Sequence, residues 1–489
     1  MYEYALMIED GKDHPWFFHK HHLIYAPLIK GCYETVKFLG SDLDSLGIMR
    51  LVSSLSAVVT LFFFFLFCYK RFSLRPVSSL LATVFYGFSY GFWRYAAEAE
   101  IPLLASAFIT AALYFATAEK DCNKTFTLTI FVSVLAVLIH IMNAVAVFIA
   151  IPMFYLFKKR TIKIVLHLSI CLFFVISTYI YCSNISELYG NTALNIQRIS
   201  FGSFFKGMIA FIECIISSDF VMGYRSVRAF LLELFAGRVL LEEVFYGERL
   251  LRSHVLFSTF TFFAFFILLL ICVFRSIWVW RNTISSNNHL PDGIKTLLIP
   301  ILFFLGYGAV LLFIEPGNPE LWVMGLMPFC LLLCGTVFLP LTEDNRLWLP
   351  LLMILILLIH NSLRMQQLKD PIKDYQKIKT SNILKIATQD DVIITAGNPV
   401  FERYLRYHFP GKVLYFFGQS ESSMRKSIND IESGNIFILG DALNIHSSLL
   451  IRFPKKCKNI KTFIDTLNIS KEPAFNDDFG GMYLLNKND

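Results

Sequence analysis

The sequence predicts a polytopic α-helical membrane protein of about ten transmembrane helices that ends in a small α/β domain. Three observations carry that expectation. Hydrophobic residues make up 55% of the 489-residue chain and charged residues only 17%, which is too apolar for a water-soluble chain of this length. Apolar segments long enough to cross a bilayer recur along the first three quarters of the chain, separated by short loops. Beyond about residue 370 the pattern changes to short apolar runs bounded by Gly, Asp and Asn.

In chain order, spans are expected at 48–68, 76–93, 101–118, 126–141, 143–157, 163–182, 254–274, 296–314, 320–339 and 347–362. The stretch 126–157 reads either as two tight spans or as one broken hairpin turning at Met142 and Asn143. Basic residues in short loops set the orientation. Lys70, Arg71 and Arg75 follow the first span, and Lys158, Lys159, Arg160 and Lys163 follow the fifth. Arg275 and Arg281 follow the seventh, and Lys295 precedes the eighth. With ten spans these loops share one side, which is then cytoplasmic. The opposite, extracytoplasmic side holds an outer loop over 1–47, the 94–100 junction, a long loop over 183–253, the 315–322 turn and the C-terminal domain.

The transmembrane domain thus runs 48–364, and the small α/β domain 365–489. Within the long loop, FFKGMIAFIECII and VRAFLLELF have helical apolar periodicity and read as interfacial helices. In the last domain, DDVIITAG, GKVLYFFG, NIFILGD and GGMYLLN read as strands between helix-compatible stretches. It has no G-x-G-x-x-G and no Walker motif, so no nucleotide site is indicated. The net charge of +7 is spread over short loops and gives no nucleic-acid footprint. The ten cysteines match no zinc or disulfide spacing. The polar, aromatic opening MYEYALMIEDGKDHPW does not read as a cleavable signal peptide.

Four constellations could carry chemistry. The segment 9–28, EDGKDHPWFFHKHHLIYAPL, packs Asp10, Asp13, His14, His19, Lys20, His21 and His22 together before the first span. A divalent metal is the one cofactor such residues would allow, but the irregular spacing fits no standard site. Acid–base or phosphate-contacting work fits better, because imidazolium and lysine pair with phosphate and a carboxylate takes a proton from a hydroxyl. The second constellation is FWRYAAEAEIPLL at 92–104, with Arg94, Glu98 and Glu100 between two apolar segments. Ionisable residues at membrane depth mark function by default; the plainer reading is an interfacial collar with Trp93 and Tyr95 in an aromatic belt. The third is His140 with Asn143 in LIHIMNAV, where a lone helical histidine is more often a packing residue. The fourth is EPGNPELW, in which Glu315 and Glu320 flank two prolines, a composition equally proper to an ordinary turn.

Together these residues resemble the GT-C superfamily of membrane glycosyltransferases, on the branch that includes protein O-mannosyltransferases and related bacterial enzymes. HHLIYAPL at 21–28 is similar to that family's H-H-L-x-Y segment. FWRYAAEAEIPLL is similar to its F-W-x-x-A-x-x-x-E-x-Y-x-L block, with Glu100 at the best-matched acid. LIHIMNA and the Glu315 turn also look like family features, and the resemblance covers roughly residues 1–340. In the family the catalytic aspartate follows a first span upstream of the H-H-L segment, whereas this chain opens Met1-Tyr2-Glu3 where that region should be ending. The resemblance therefore implies an upstream start, a substitute among Glu3, Asp10 and Asp13, or a non-catalytic scaffold.

The resemblance implies a lipid-linked donor, a sugar on a polyprenyl phosphate or pyrophosphate, with its tail in the bilayer. It also implies an integral, multi-pass protein of a bacterial inner membrane or an ER-type membrane, working on the extracytoplasmic face. The acceptor hydroxyl would belong to a protein, glycolipid or polysaccharide. Glu100 or Glu98 is the base, with Asp10 and Asp13 as further catalytic candidates. Arg94, Lys20, His21, His22, His140 and Glu315 are the substrate-binding candidates. The rival expectation is a transporter or flippase of lipid-linked sugars, which would place ionisable groups at the bilayer midplane. The span centres here are nearly free of carboxylates.

Overall fold

The computed structural model describes residues 2–11, 14, 17–118, 122–185, 188, 201–234, 247, 249–286, 296–369, 374–445, 449–450, 453–477 and 480–486. The chain divides into two compact units. The first comprises Glu3–Ser218 and Ser258–Leu363, and the second Asp219–Phe257 and Arg364–Asp489.

The first unit is helical and has the character of an integral membrane protein. Among the described residues, five helices are long and apolar enough to cross a bilayer: Ser45–Arg71, Thr161–Ile185, Arg252–Asn282, Pro319–Thr342 and Trp348–Leu368. The pair Tyr90–Ala97 and Pro102–Ala116, bent by 116° at its break, makes a sixth if it is one span. Each remaining expected span falls on a shorter apolar helix: Pro76–Phe88, Asn123–Ile139, Ile141–Phe157 or Leu298–Ile314. At about 1.5 Å per residue none of these covers the ~30 Å hydrocarbon core unaided, so helix length alone does not yield ten spans.

The helices start where the sequence supplies caps. Asp44 accepts from Gly47 N at 2.7 Å ahead of Ser45–Arg71. Pro76, Pro102 and Pro319 each stand in the first turn of their helices, where a missing N–H costs nothing. Pro319–Thr342 lies at the centre of the unit, with 78% of its apolar window buried against 17% for Thr161–Ile185. Small residues line the contact between Ser45–Arg71 and Pro102–Ala116, among them buried Ser56, Ala57, Thr60, Ser106 and Thr110. Such residues let helix backbones approach where apolar burial cannot drive association. Phe201–Ile215, expected to lie on the membrane surface, packs one face into this unit. Phe211 packs tilted or edge-on against Phe304, Trp322 and Phe329, and Cys214 Sγ donates to Pro319 O at 3.1 Å.

The second unit holds a five-stranded sheet in the order β2-β1-β3-β5-β4. The strands are β1 (Val392–Thr395), β2 (Lys412–Tyr415), β3 (Ile436–Leu439), β4 (Phe475–Asp477) and β5 (Gly480–Leu484). β1 pairs in parallel with β2 and β3, while β5 runs antiparallel to β3 and β4. Alternate residues of β1 feed two cores: Val392 and Ile394 pack with Met424, Ile438 and Phe463, and Ile393 with Phe401, Leu405 and Phe437. The unit also takes in Asp219–Phe257, which the sequence places in the loop of the membrane domain. Two long-range side-chain contacts tie it there: buried Asp219 pairs with buried Arg364, and Gln367 Nε2 lies 3.3 Å from His254 Nδ1.

Candidate functional site

The site is built around the break between Tyr90–Ala97 and Pro102–Ala116. Pro76–Phe88 ends at Ser89, whose hydroxyl donates to Phe85 O at 2.9 Å. The chain restarts for two turns, then leaves the helix at Glu98, which is extended (φ −97°, ψ 158°). Arg94 and Glu98, one turn apart, form an ion pair at 2.9 Å, and the guanidinium carbon lies 5.6 Å from the Tyr95 ring centre. Glu100 is held by its backbone. The hydroxyl of buried Ser53 donates to Glu100 O at 2.9 Å and accepts from Glu100 N at 3.3 Å. Ser54 Oγ donates to Ala96 O at 2.8 Å, so the first long helix anchors both sides of the break.

A second carboxylate is brought to Glu100 by packing. Gly91 lets Tyr90–Ala97 press against Phe201–Ile215 and Pro319–Leu333; a Cβ there would stand 3.2 Å from both Cys214 and Val323. That contact sets the start of Pro319–Leu333 beside the break. Asn318 caps this start, accepting from Glu320 N at 3.1 Å, and Trp322 Nε1 donates to Pro316 O at 2.8 Å to close the turn. Glu320 and Glu100 act on one another electrostatically, and Glu98 and Glu315 act on Glu320 as well. Glu100 and Glu320 also act on the phenol of Tyr25. Tyr25 is 1% exposed, and its hydroxyl has no hydrogen-bond partner among the described residues.

The histidines form a second group, linked to Tyr25 through Tyr4. The 21–24 segment pairs with the end of Asn123–Ile139: Ile141 N donates to His21 O at 3.0 Å and Ile24 N to Leu138 O at 3.2 Å. His140 breaks that helix in extended geometry (φ −151°, ψ 113°), and its Nδ1 accepts from Met142 N at 3.2 Å. The His22 ring stands 4.5 Å from that of His140 and is stacked 5.3 Å from that of His19, while His19 lies 5.3 Å from His21. Tyr4 bridges the two halves, 6.1 Å from His22 and 5.5 Å from Tyr25. Tyr179 donates its hydroxyl to Lys20 O.

Burial, with His21 and Lys20 adding to it, pushes His19 down to about 4. Burial lowers His21 too, aided by Lys20, and holds His22 well below the ordinary histidine range, aided by His140 and His19. These three rings are therefore neutral at pH 7 in the free protein, not imidazolium as the sequence suggested. Among the described residues no group of three or more His, Cys, Asp or Glu is arranged to hold a metal ion.

Of the expected site residues, the fold brings together Arg94, Glu98 and Glu100 in one cluster and Lys20, His21, His22 and His140 in another. Glu315 ends Leu298–Ile314 and accepts from Asn318 N at 3.3 Å, one step from Glu320. Asp10 is exposed at the end of the Tyr2–Asp10 helix. Asp13 lies outside the described residues. Glu3, in contrast, is buried, 3.9 Å from His14 Nε2. Reading the sequence alone passes over Ser53, Tyr4 and the role of Tyr25, and takes Glu320 only as part of a turn. Its one signal for Tyr25 is the position three residues after His22.

Fold and site define an integral membrane protein whose ionisable residues collect where helices break or begin. No protein-family model matches the chain, and no curated protein matches it significantly. Among solved structures it is similar to ArnT from Cupriavidus metallidurans in the apo state, at 12% identity and a TM-score of 0.47, over 99% of this chain and 91% of that one. It is similar to ArnT from the same organism bound to undecaprenyl phosphate at 11% identity and a TM-score of 0.47, over 99% and 92%.

Proposed function

We propose that the protein is a membrane glycosyltransferase of the GT-C type. It moves a sugar from a polyprenyl-phosphate-linked donor to an acceptor hydroxyl at the extracytoplasmic face, with inversion. The observation that carries this reading is Glu100, pinned through its backbone by Ser53 at a helix break, with the Arg94–Glu98 pair, Glu320 and the Tyr25 phenol within electrostatic reach. Glu98 is ion-paired with Arg94, and the base is assigned to Glu100, the best-matched acid of the 92–104 block. The Glu100 carboxylate takes the proton of the acceptor O–H as that oxygen bonds to the anomeric carbon. The bond from the anomeric carbon to the phosphate oxygen breaks, and the phosphate leaves with the electron pair. A phosphate leaving group needs no general acid, only positive charge to meet it, and Arg94 and Lys20 place a cation in each cluster.

The test is transfer from a radiolabelled polyprenyl phosphoryl sugar to membrane acceptors by wild type and Glu100→Gln. Loss of a general base typically costs 10²–10⁴-fold, so the variant should fall by about that much while keeping its fold and its binding of the lipid. Undiminished transfer by Glu100→Gln would sink the assignment. One feature favours a different reading: the 116° bend is the broken-helix geometry on which transporters build midplane sites. Movement of a lipid-linked sugar across proteoliposomes, unchanged in Glu100→Gln and with no transfer product, would establish that reading instead.

A further inference from the structure

The inference rests on the donor reading above and concerns how the phosphate end of that donor is met. The histidine group is built from neutral rings whose protons are placed by backbone partners. A backbone N–H can only donate, so His140 Nδ1, which accepts from Met142, carries no proton, and the ring holds it on Nε2. His19 Nδ1 accepts from His21 N at 3.2 Å and is fixed the same way. A carbonyl can only accept, so His22 Nδ1, 3.3 Å from Ile139 O, holds its proton there. His22 Nε2 is then an unprotonated nitrogen on a ring whose centre lies 5.3 Å from that of His19 and 4.5 Å from that of His140.

Among the described residues, the titratable groups near these rings are His21 and Lys20 from the same loop, Tyr4 from the first helix, and His140 from the end of Asn123–Ile139. Crowded imidazoles beside a lysine resist protonation, and the low values of His19, His21 and His22 agree with that geometry. An anion placed among them removes the penalty. A phosphodiester, which stays singly charged over the working pH range, would raise the affinity of His22 Nε2 for a proton.

We propose that His22 takes up a proton when the phosphodiester of the donor seats against the His19, His22 and His140 rings, so that donor binding is coupled to proton uptake. In the bound state the cluster becomes an imidazolium with two flanking Nε2–H donors, the charge-assisted arrangement that phosphate oxygens accept. Binding must then tighten as pH falls, by up to tenfold per pH unit where one full proton is taken up.

Calorimetric titration of the full-length protein in nanodiscs with farnesyl methyl phosphate tests this. That diester does not titrate between pH 5 and 8, so any proton exchanged belongs to the protein. Titrations run at pH 6, 7 and 8 in two buffers of different ionisation enthalpy. The expected result is proton uptake in wild type, larger at pH 6 than at pH 8, that disappears in His22→Gln while weaker binding persists. His22→Asn serves as the second variant if the first does not fold. Binding with identical heats in both buffers at every pH overturns the proposal and leaves the donor reading standing. Undiminished uptake in both His22 variants also overturns it. No binding by wild type at any pH overturns the donor reading itself, and this inference with it.

Discussion

Arg94 and Glu98 have the geometry of an ordinary one-turn ion pair, with side chains 28% and 24% exposed. Pairs of that kind contribute about 0.3–0.5 kcal/mol. Magnitude therefore separates a structural role from a chemical one. If the pair only caps a helix, Arg94→Gln should barely move either stability or rate. If the guanidinium meets the leaving phosphate, removing it should cost about 10²-fold in turnover, the scale of one lost electrostatic contact at a transition state. The expected outcome is a melting temperature within about 2 °C of wild type together with that drop in kcat. Equal kcat in Arg94→Gln would assign the pair to structure alone. Ser53 differs: its hydroxyl bonds the backbone O and N of Glu100, so under the proposed reaction it would be a positioning residue, setting where the carboxylate can reach.

At the scale of elements, the breaks matter more than the helices. The apolar run 76–93 passes straight through the Ser89 interruption, so hydrophobicity alone reads one span where there are two short helices. The 92–104 cluster was legible because Arg94, Glu98 and Glu100 lie within two turns of one another. The approach of Glu320 to Glu100 was not, because it depends on a Gly91 contact between segments far apart in the chain. The turn at Met142 and Asn143, read from sequence as either a hairpin or two spans, is a short turn of Ile141–Asn143 between two helices. Asn143 holds it: its fully buried Nδ2 donates to Ala136 O at 3.0 Å and Ala105 O at 3.3 Å, tying Asn123–Ile139 to Pro102–Ala116. Asn143→Leu matches the volume but deserts both carbonyls. It should cost about 1–3 kcal/mol, the usual penalty for unmaking a buried hydrogen bond. Thermal unfolding in detergent reads the cost directly, and an unshifted midpoint would mean that the turn is held by packing instead.

At the scale of the whole molecule, the chain is two compact units whose make-up does not follow sequence order. The runs DDVIITAG, GKVLYFFG, NIFILGD and GGMYLLN each hold a strand, because their period and flanking turn residues are local signals. The recruitment of Asp219–Phe257 to that unit has no local signal, since Asp219 and Arg364 lie 145 residues apart. Both side chains are buried, so the pair behaves unlike the half-buried Arg94 pair. A buried ion pair adds little over a well-packed apolar one, but removing one partner leaves a buried charge uncompensated, at about 3–5 kcal/mol. Asp219→Asn should therefore loosen Asp219–Phe257 from its unit while the membrane-spanning helices stay folded. Limited proteolysis of the full chain should then cut within 219–257 several times faster than in wild type. The double change Asp219→Leu with Arg364→Met removes both charges at once and should recover much of the protection, because no lone charge remains buried. If Asp219→Asn and wild type are cut at the same rate, the ion pair is not what assigns this segment to the second unit.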